Sequence, residues 1–494
     1  MAELLSEGSP VLDLAGLFRN AGHELYLVGG PVRDMALRRE HSDLDFATDA
    51  LPADTQRIIR PRTGEMWTQG IEFGTIGALI AGVRMEITTF RTERYEPDSR
   101  HPAVEFESDI EIDLSRRDFT VNAMAIRLPE RTAIDPFEGM EDLKKRILRT
   151  PIEPERSFSD DPLRMLRAFR FASQLKFKIA DEVLAAITEM KEALSTVSAE
   201  RIKDELSKLV TGPAVERALT LADETGITGI FLPELGALKL EQDPVQRHKD
   251  VFRHTLAVVE RTDPDLTLRL AALLHDIGKP TTREITDDGV TFYHHEVVGA
   301  RMARERLKAL RYPNGVVDEV SQLIYLHHRF HGYDDDWTDA AVRRYVRDAG
   351  PLLGKLNLLV RADCTTRNPA KARRLQEAMD QFEERIRVLA EREELGRIRP
   401  DLDGRQVMAY LGADEGRMIG EALEYLLEVR LEEGPLDAEA AYERLDRWAR
   451  DKGIEPAGRK TPPQDVHQER REQGRRREGR PGMKWPPGTD RGQG

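Results

Sequence analysis

The sequence predicts an α+β protein: a small mixed sheet with helices at the N-terminus, followed by an all-helical remainder. Three observations carry this. Residues 25–49, LYLVGGPVRDMALRREHSDLDFATD, read as strand, glycine turn, helix, loop and strand. Two further β-rich runs, Thr75–Ile80 and Arg84–Phe90, flank Ala81-Gly82, a plausible hairpin turn. From Thr150 onward the readable segments are helices.

Residues 1–22 read as a helix packed on the first strand, Leu25–Val28. Gly29 and Gly30 end that strand and allow a tight turn with close backbone approach to a ligand. Pro31 suits a helix start, and Val32–Leu37 continue that helix. The next strand delivers Asp43 and Asp45, alternating with Leu44 and Phe46, so both carboxylates face one side. Two hard oxygen ligands beside a glycine turn and a helix N-terminus suit Mg²⁺ carrying a nucleoside triphosphate.

Leu51–Arg60 reads as a helix with Pro52 at its start. Glu86 is either an exposed strand glutamate or a third acid facing Asp43 and Asp45. Thr92–Asp109 is polar and irregular, as expected of a functional or disordered loop. Arg116 and Arg117 then supply cations, and Asp118 and Asn122 are expected one helical turn apart. Asp135–Gly139 is a turn. Asp160 and Asp161 open a helix whose N-terminus favours acids, and Arg164, Arg167 and Arg170 share a face at a spacing of three. Ser198–Leu206 reads as a serine-capped structural helix.

Further on, eight of the 12 histidines fall in one ordered segment. The apolar run Leu270–Leu274 delivers His275-Asp276 before Gly278-Lys279-Pro280. Together with His254, His294-His295, His327-His328 and Asp363, these imidazoles and carboxylates suit a divalent metal with open positions. Ala370–Asp451 is helical and charged, with scattered apolar residues, and reads as solvated helices. From Gly458 the chain is rich in Pro, Gly and Arg and lacks residues to build a core; it is either a solubilising tail or a phosphate-binding one.

At 494 residues, 39% apolar and 33% charged, the chain can fold several domains. It has no apolar run of about eighteen residues, so no membrane span is expected, and its acidic N-terminus is unlike a secretory signal. The single cysteine, Cys364, excludes an internal disulfide and fits a reducing, cytoplasmic setting. A net charge of −14 means that any nucleic-acid partner needs a local basic surface.

The order Gly29-Gly30, Arg33, Asp43-x-Asp45 resembles the head of the polymerase β-like nucleotidyltransferases, and more narrowly the class II tRNA CCA-adding enzymes and bacterial poly(A) polymerases. RRDFTVNAMAI (residues 116–126) is similar to that family's second motif, Asp135–Gly139 to its third, Asp160–Arg164 to its amino-acid template and Ser198–Leu206 to its fifth. Asp160 stands where the family usually has glutamate. The resemblance implies Asp43 and Asp45 as catalytic Mg²⁺ ligands. It implies Gly29, Gly30, Arg33, Arg117, Asp118 and Asn122 at the sugar and phosphates, Asp161, Arg164 and Arg167 selecting the base, and Arg170 as a further nucleotide-binding residue. It implies tRNA as partner and CTP and ATP as substrates. Residues 248–363 resemble the HD-superfamily phosphohydrolases, with His254, His275, Asp276 and Asp363 as ligands of a divalent metal and RNA ends as substrate. The expected divisions are head 1–150, neck 151–245, HD domain 246–368, body and tail 369–455 and basic tail 456–494. Three alternatives stay open: a poly(A) polymerase, a CC-only or A-only enzyme, and a phosphohydrolase with an inert RNA-binding head. The length of Thr92–Asp109 favours complete CCA addition over the CC-only form. The sequence leaves the oligomeric state unassigned.

Overall fold

The structure is a computed structural model that describes residues 4–39, 44–94, 103–240, 250–286, 289–332, 337–364, 369–393 and 398–462. Asp43, the tip of the Thr92–Asp109 segment and nearly all of the basic tail lie outside these residues.

In the head, α1 (Pro10–Asn20), capped by Ser9, precedes β1 (Leu25–Val28). Next come α2 (Gly30–Ala36), β2 (Leu44–Thr48), α3 (Pro52–Ile59), β3 (Thr63–Trp67), β4 (Thr75–Ile80) and β5 (Val83–Thr89). Then follow β6 (Arg91–Arg94), β7 (Ala103–Phe106), α4 (Ile110–Ser115), β8 (Ala125–Leu128), β9 (Thr132–Ile134) and α5 (Gly139–Lys145). Seven strands form one sheet in the order β3-β4-β5-β2-β1-β8-β9. Its β2–β5 pair is parallel and the other neighbours are antiparallel. Ala81 and Gly82 both take positive φ (51° and 78°), the geometry of a two-residue hairpin turn.

One face buries Leu27, Phe46, Ile76, Met85 and Ile87 on the side of α1 and α3. The other is split. At the β1–β8 end, α4 closes over Tyr26, Val28, Ala47, Ala123 and Ala125 with Phe90. At the β5–β4–β3 end the residues of that face alternate outward, with Arg84 exposed and Glu86 and Thr88 half-buried.

Two expectations are corrected here, and three strands are added. The segment Thr92–Asp109 is not wholly loop: β6 and β7 pair antiparallel. Asp118 and Asn122 are not on an α-helix: α4 ends at Ser115, Phe119 is extended, and Thr120–Asn122 is a single 3₁₀ turn. β3, β8 and β9 had no clear sequence signal, because Gly64 and Glu65 dilute the first and the others are short.

The neck holds α6 (Pro154–Asp160), α7 (Leu163–Leu175), α8 (Asp181–Met190), α9 (Ala199–Val210) and α10 (Val215–Glu224). Two one-turn helices follow, α11 (Thr228–Phe231) and α12 (Pro233–Ala237). Asp160 therefore ends a helix rather than opening one. Pro162 disfavours helical geometry at the residue before it, and Asp161 is extended (φ −147°, ψ 100°). The Asp161 Oδ1 then accepts from Leu163 N at 3.1 Å, at the start of α7.

The middle helices are α13 (Val251–Arg261), α14 (Leu266–Leu274), α15 (His295–Ala309) and α16 (Asn314–Leu326). Then come α17 (Asp339–Ala349), α18 (Leu353–Asp363), α19 (Pro369–Glu393), α20 (Gly404–Leu411), α21 (Arg417–Glu433) and α22 (Ala438–Asp451). By packing, the chain forms two units: residues 1–331 with 354–372, and residues 332–353 with 373–494. Thus α17, expected inside 246–368, packs with the C-terminal helices, where Tyr345, Trp337 and Phe382 stack edge to face. The C-terminal helices are also more than solvated rods. Leu402, Val407, Tyr410, Leu426, Tyr442, Leu445 and Trp448 build a shared core. No helix among the described residues is long and apolar enough to cross a membrane.

Candidate functional site

The head site starts at Gly29. Its φ of 73° lies in the left-handed region, and a Cβ there would meet the Arg117 guanidinium at 2.8 Å. Only glycine lets Arg117 lie against the turn. Arg117 Nη2 donates to Asp113 Oδ2 at 3.0 Å, while its buried Nε has no hydrogen-bond partner among the described residues. Asp113 is fully buried, yet Arg116 and Arg117 hold its carboxyl below the usual range.

From α2, Arg33 Nη1 donates to Asn122 Oδ1 at 2.7 Å. Asn122 Nδ2 donates to Asp118 Oδ1 at 2.9 Å, and Arg167 Nε donates to Asp118 Oδ2 at 2.8 Å. Arg167 and Arg170 of α7 both reach Glu205 of α9, at 3.3 and 3.2 Å. Phe171 sits under three guanidiniums: Arg170 at 3.9 Å, Arg33 at 5.3 Å and Arg167 at 5.6 Å. Burial raises the Asp118 pKa, but Arg167 and Asn122 outweigh it and hold the carboxyl well below its ordinary value. Burial and the neighbouring Arg167 charge bring Arg170 down to about 10.

The template residues divide. Arg164 points inward, its Nη1 donating to Ser157 Oγ at 2.9 Å and its Nη2 to the Arg116 carbonyl at 2.5 Å. Asp161 Oδ2 accepts from Arg201 Nη2 of α9 at 2.8 Å. The three arginines at a spacing of three therefore do different jobs. Asp45 is the second residue of β2, and the parallel register sets it opposite Glu86. Cross-strand partners point to the same face, so both carboxylates share the open face. Sequence reasoning missed Glu205, Arg201, Asp113 and Phe171. Glu205 and Arg201 looked like surface charges of a capped helix, and only the packing of α9 on α7 gives them partners.

The second cluster lies in the middle domain. His275, Asp276, His295, His327 and Asp363 are all buried, and His254 is half-buried. His254 Nε2 is 2.9 Å from Asp363 Oδ1, and His275 Nε2 is 3.3 Å from Asp276 Oδ2 and 3.5 Å from Asp363 Oδ1. His295 Nε2 is 3.7 Å from Asp276 Oδ1. In His275, His295 and His327, Nδ1 faces the carbonyl three residues earlier, of Ala272, Phe292 and Ile324. A carbonyl only accepts, so Nδ1 carries a proton in each ring, and in His295 and His327, which burial keeps neutral, Nε2 holds the lone pair.

Two sets have ligand atoms all within 4.8 Å of one another: His254, His275 and Asp363, and His275, Asp276 and His327. His275 Nε2 and Asp276 Oδ1 are buried without a hydrogen-bond partner among the described residues. Mixed imidazole and carboxylate donors with orphaned atoms fit a divalent cation. Burial opposes a charge on His275, but Asp276 and Asp363 prevail and push it up to about 10. Burial brings His295 down to about 4 and His327 to about 3. Lys279 Nζ donates to Asp276 Oδ2 at 2.7 Å.

Comparison with known proteins follows this layout. Residues 25–149 match the poly A polymerase head domain, 176–238 the probable RNA and SrmB-binding site of polymerase A, and 251–368 the HD domain. Residues 25–149 are thus a head domain of this type. A CCA-adding enzyme of Levilactobacillus brevis is 45% identical over 208 residues, covering 42% of this chain and 51% of that protein. One from Geobacillus thermodenitrificans is 37% identical over 305 residues, covering 61% and 66%. The matched stretch spans about half the length of the first of these relatives. A crystal structure of the Bacillus stearothermophilus CCA-adding enzyme in complex with CTP superposes with TM-score 0.64 at 27% identity, covering 90% of this chain and 98% of that one. The Thermotoga maritima CCA-adding enzyme complexed with tRNA shares the fold, with TM-score 0.56 at 20% identity, covering 88% and 94%.

Proposed function

We propose that the chain adds CCA to the 3′ end of tRNA from CTP and ATP, without a nucleic-acid template. The observation that carries the reading is one connected arrangement. The Asp45–Glu86 pair stands on the sheet's open face, and β1, which runs beside β2, ends at the Gly29 turn. The Arg33–Asn122–Asp118–Arg167 chain runs from that turn to the neck helices. Asp43 and Asp45 would hold Mg²⁺, with Glu86 as the third acid. A bound divalent ion there supplies Lewis acidity and charge neutralisation for phosphoryl transfer.

This chain's own groups do the rest. Gly29 and Gly30 let the triphosphate approach the backbone at the start of α2. The Arg117 guanidinium lies against the Gly29 turn, and its Nε has no hydrogen-bond partner among the described residues. Arg33, Asp118 and Asn122 orient the sugar and phosphates. Asp161, Arg164, Arg167 and Arg170 set the base edge that is accepted, Arg164 by fixing the junction between head and neck through Ser157 and the Arg116 carbonyl. The protein would thus replace a nucleic-acid template, since paired donors and acceptors can read base edges. In the middle domain, His254, His275, Asp276 and Asp363 would hold a divalent metal, and we assign this site to phosphomonoester or 2′,3′-cyclic phosphodiester hydrolysis at RNA ends.

Primer extension tests the main reading. A tRNA lacking its 3′ CCA is offered CTP alone, ATP alone, then both. Two added C residues with CTP and one further A with both are expected. Long A tails without C addition would refute CCA addition in favour of a poly(A) polymerase.

A further inference from the structure

We infer that Trp67, braced by Arg84, is a stacking platform for the 3′-terminal nucleotides of the RNA that receives the new residue. The inference rests on the nucleotidyltransferase reading above and goes beyond it by locating the second substrate.

Strand register carries the argument. Trp67 of β3 pairs with Gly77 of β4, Gly77 pairs with Glu86 of β5, and Glu86 pairs with Asp45 of β2. Directly opposed residues share a face, so Trp67, Glu86 and Asp45 stand in one row on the open face. Three strand spacings separate the ends of that row, about 14 Å. Gly77 leaves the row free for the indole, for a Cβ there would meet Trp67 Nε1 at 1.8 Å. The Arg84 guanidinium lies 4.9 Å from the indole ring, and its Nη2 is 3.5 Å from Glu86 Oε1. A half-buried indole and a guanidinium that is 57% exposed thus adjoin the carboxylates.

The strand order fixes which substrate this row serves. The groups assigned to the incoming nucleotide, from Gly29 to Asn122, gather where β1 ends and β8 begins, on one side of β2. Trp67 is on the other side, beyond β5 and β4. In phosphoryl transfer the attacking and leaving oxygens lie roughly in line. The nucleotide occupies the β1–β8 side, so the attacking RNA end approaches over β5, β4 and β3. An aromatic face with an adjacent cation is the sequence-tolerant way to hold single-stranded bases and their phosphates. Sequence tolerance is required where one site receives a different terminal nucleotide at every step.

The test replaces Trp67 in the full chain by Phe, which keeps a ring, and by Leu, which keeps apolar cover over Gly77 without one. CMP addition to tRNA lacking CCA is measured, varying tRNA at saturating CTP and then CTP at saturating tRNA. Trp67→Leu is expected to raise KM for tRNA about tenfold, and Trp67→Phe less than about threefold, with KM for CTP unchanged. As a second measurement, tRNA should quench a component of the wild-type fluorescence that Trp67→Phe lacks, and CTP should not. Equal tRNA KM in wild type and Trp67→Leu, a change confined to CTP, or an absent quench would overturn the platform. A wild-type protein that adds no nucleotide would instead sink the activity, and the quench by tRNA then reads the platform alone.

Discussion

Asp118 shows how much one residue in the head can carry. It is 8% exposed and accepts from Phe119 N, Asn122 and Arg167. Burial raises its folded pKa, but Arg167 and Asn122 depress it further, so the stability it contributes is present above the unfolded carboxylate value, declines as pH falls below that value and is lost as pH falls through the folded one. Asp118→Asn is expected to cost about 3 kcal/mol at neutral pH, because Arg167 loses one of its two carboxylate partners and shares the other, Glu205, with Arg170. Urea melts should show that gap intact down to about pH 5 and closing below about pH 4. A gap unchanged at acid pH would refute the ion-pair account. The importance of Asp118 was legible in RRDFTVNAMAI; its partner was not. Asp118 and Arg167 are 49 residues apart, and nothing in either local pattern announces the pair.

At the level of elements, Gly278 fixes the spacing between α14 and α15. A Cβ there would stand 2.2 Å from the His295 carbonyl and 2.7 Å from Gly299 N, both rigid backbone. Gly278→Ala should push α15 away and carry His295 from Asp276. Divalent-metal affinity of the middle domain is expected to fall roughly tenfold, read by chelator competition, with CMP addition unchanged. Unaltered affinity would show that the contact is slack. The sequence announced the His-Asp-x-Gly string, and the apolar run before it gave α14. The elements it missed share a cause: β3, β8 and β9 are short or interrupted, and become strands only because neighbours supply the ladder. The row from Trp67 to Asp45 was invisible for the same reason, since it depends on pairing β3.

For the molecule as a whole, two chemistries on separate residue sets should be separable. Asp43→Ala/Asp45→Ala is expected to abolish nucleotide addition and keep hydrolysis of a 2′,3′-cyclic phosphate end, and His275→Ala to do the reverse. Loss of both activities in either variant would contradict independent sites. The C-terminal unit was the least legible part. Its apolar residues look scattered in sequence because Val407, Leu426, Tyr442 and Trp448 come from three different helices and meet only in the folded core.

The chain passes between the two packing units three times: after His331, after Leu353 and after Ala372. Asp363 lies on the returning segment, so the histidine–aspartate cluster of the first unit is completed by sequence encoded downstream of part of the second. A stop codon at residue 332 would not shed a peripheral appendage; it would also delete Asp363. Loss of the whole second unit from the C-terminus therefore forfeits the histidine–aspartate cluster, whereas a stop after Ala372 keeps Asp363 but strands residues 332–353 without the rest of their unit.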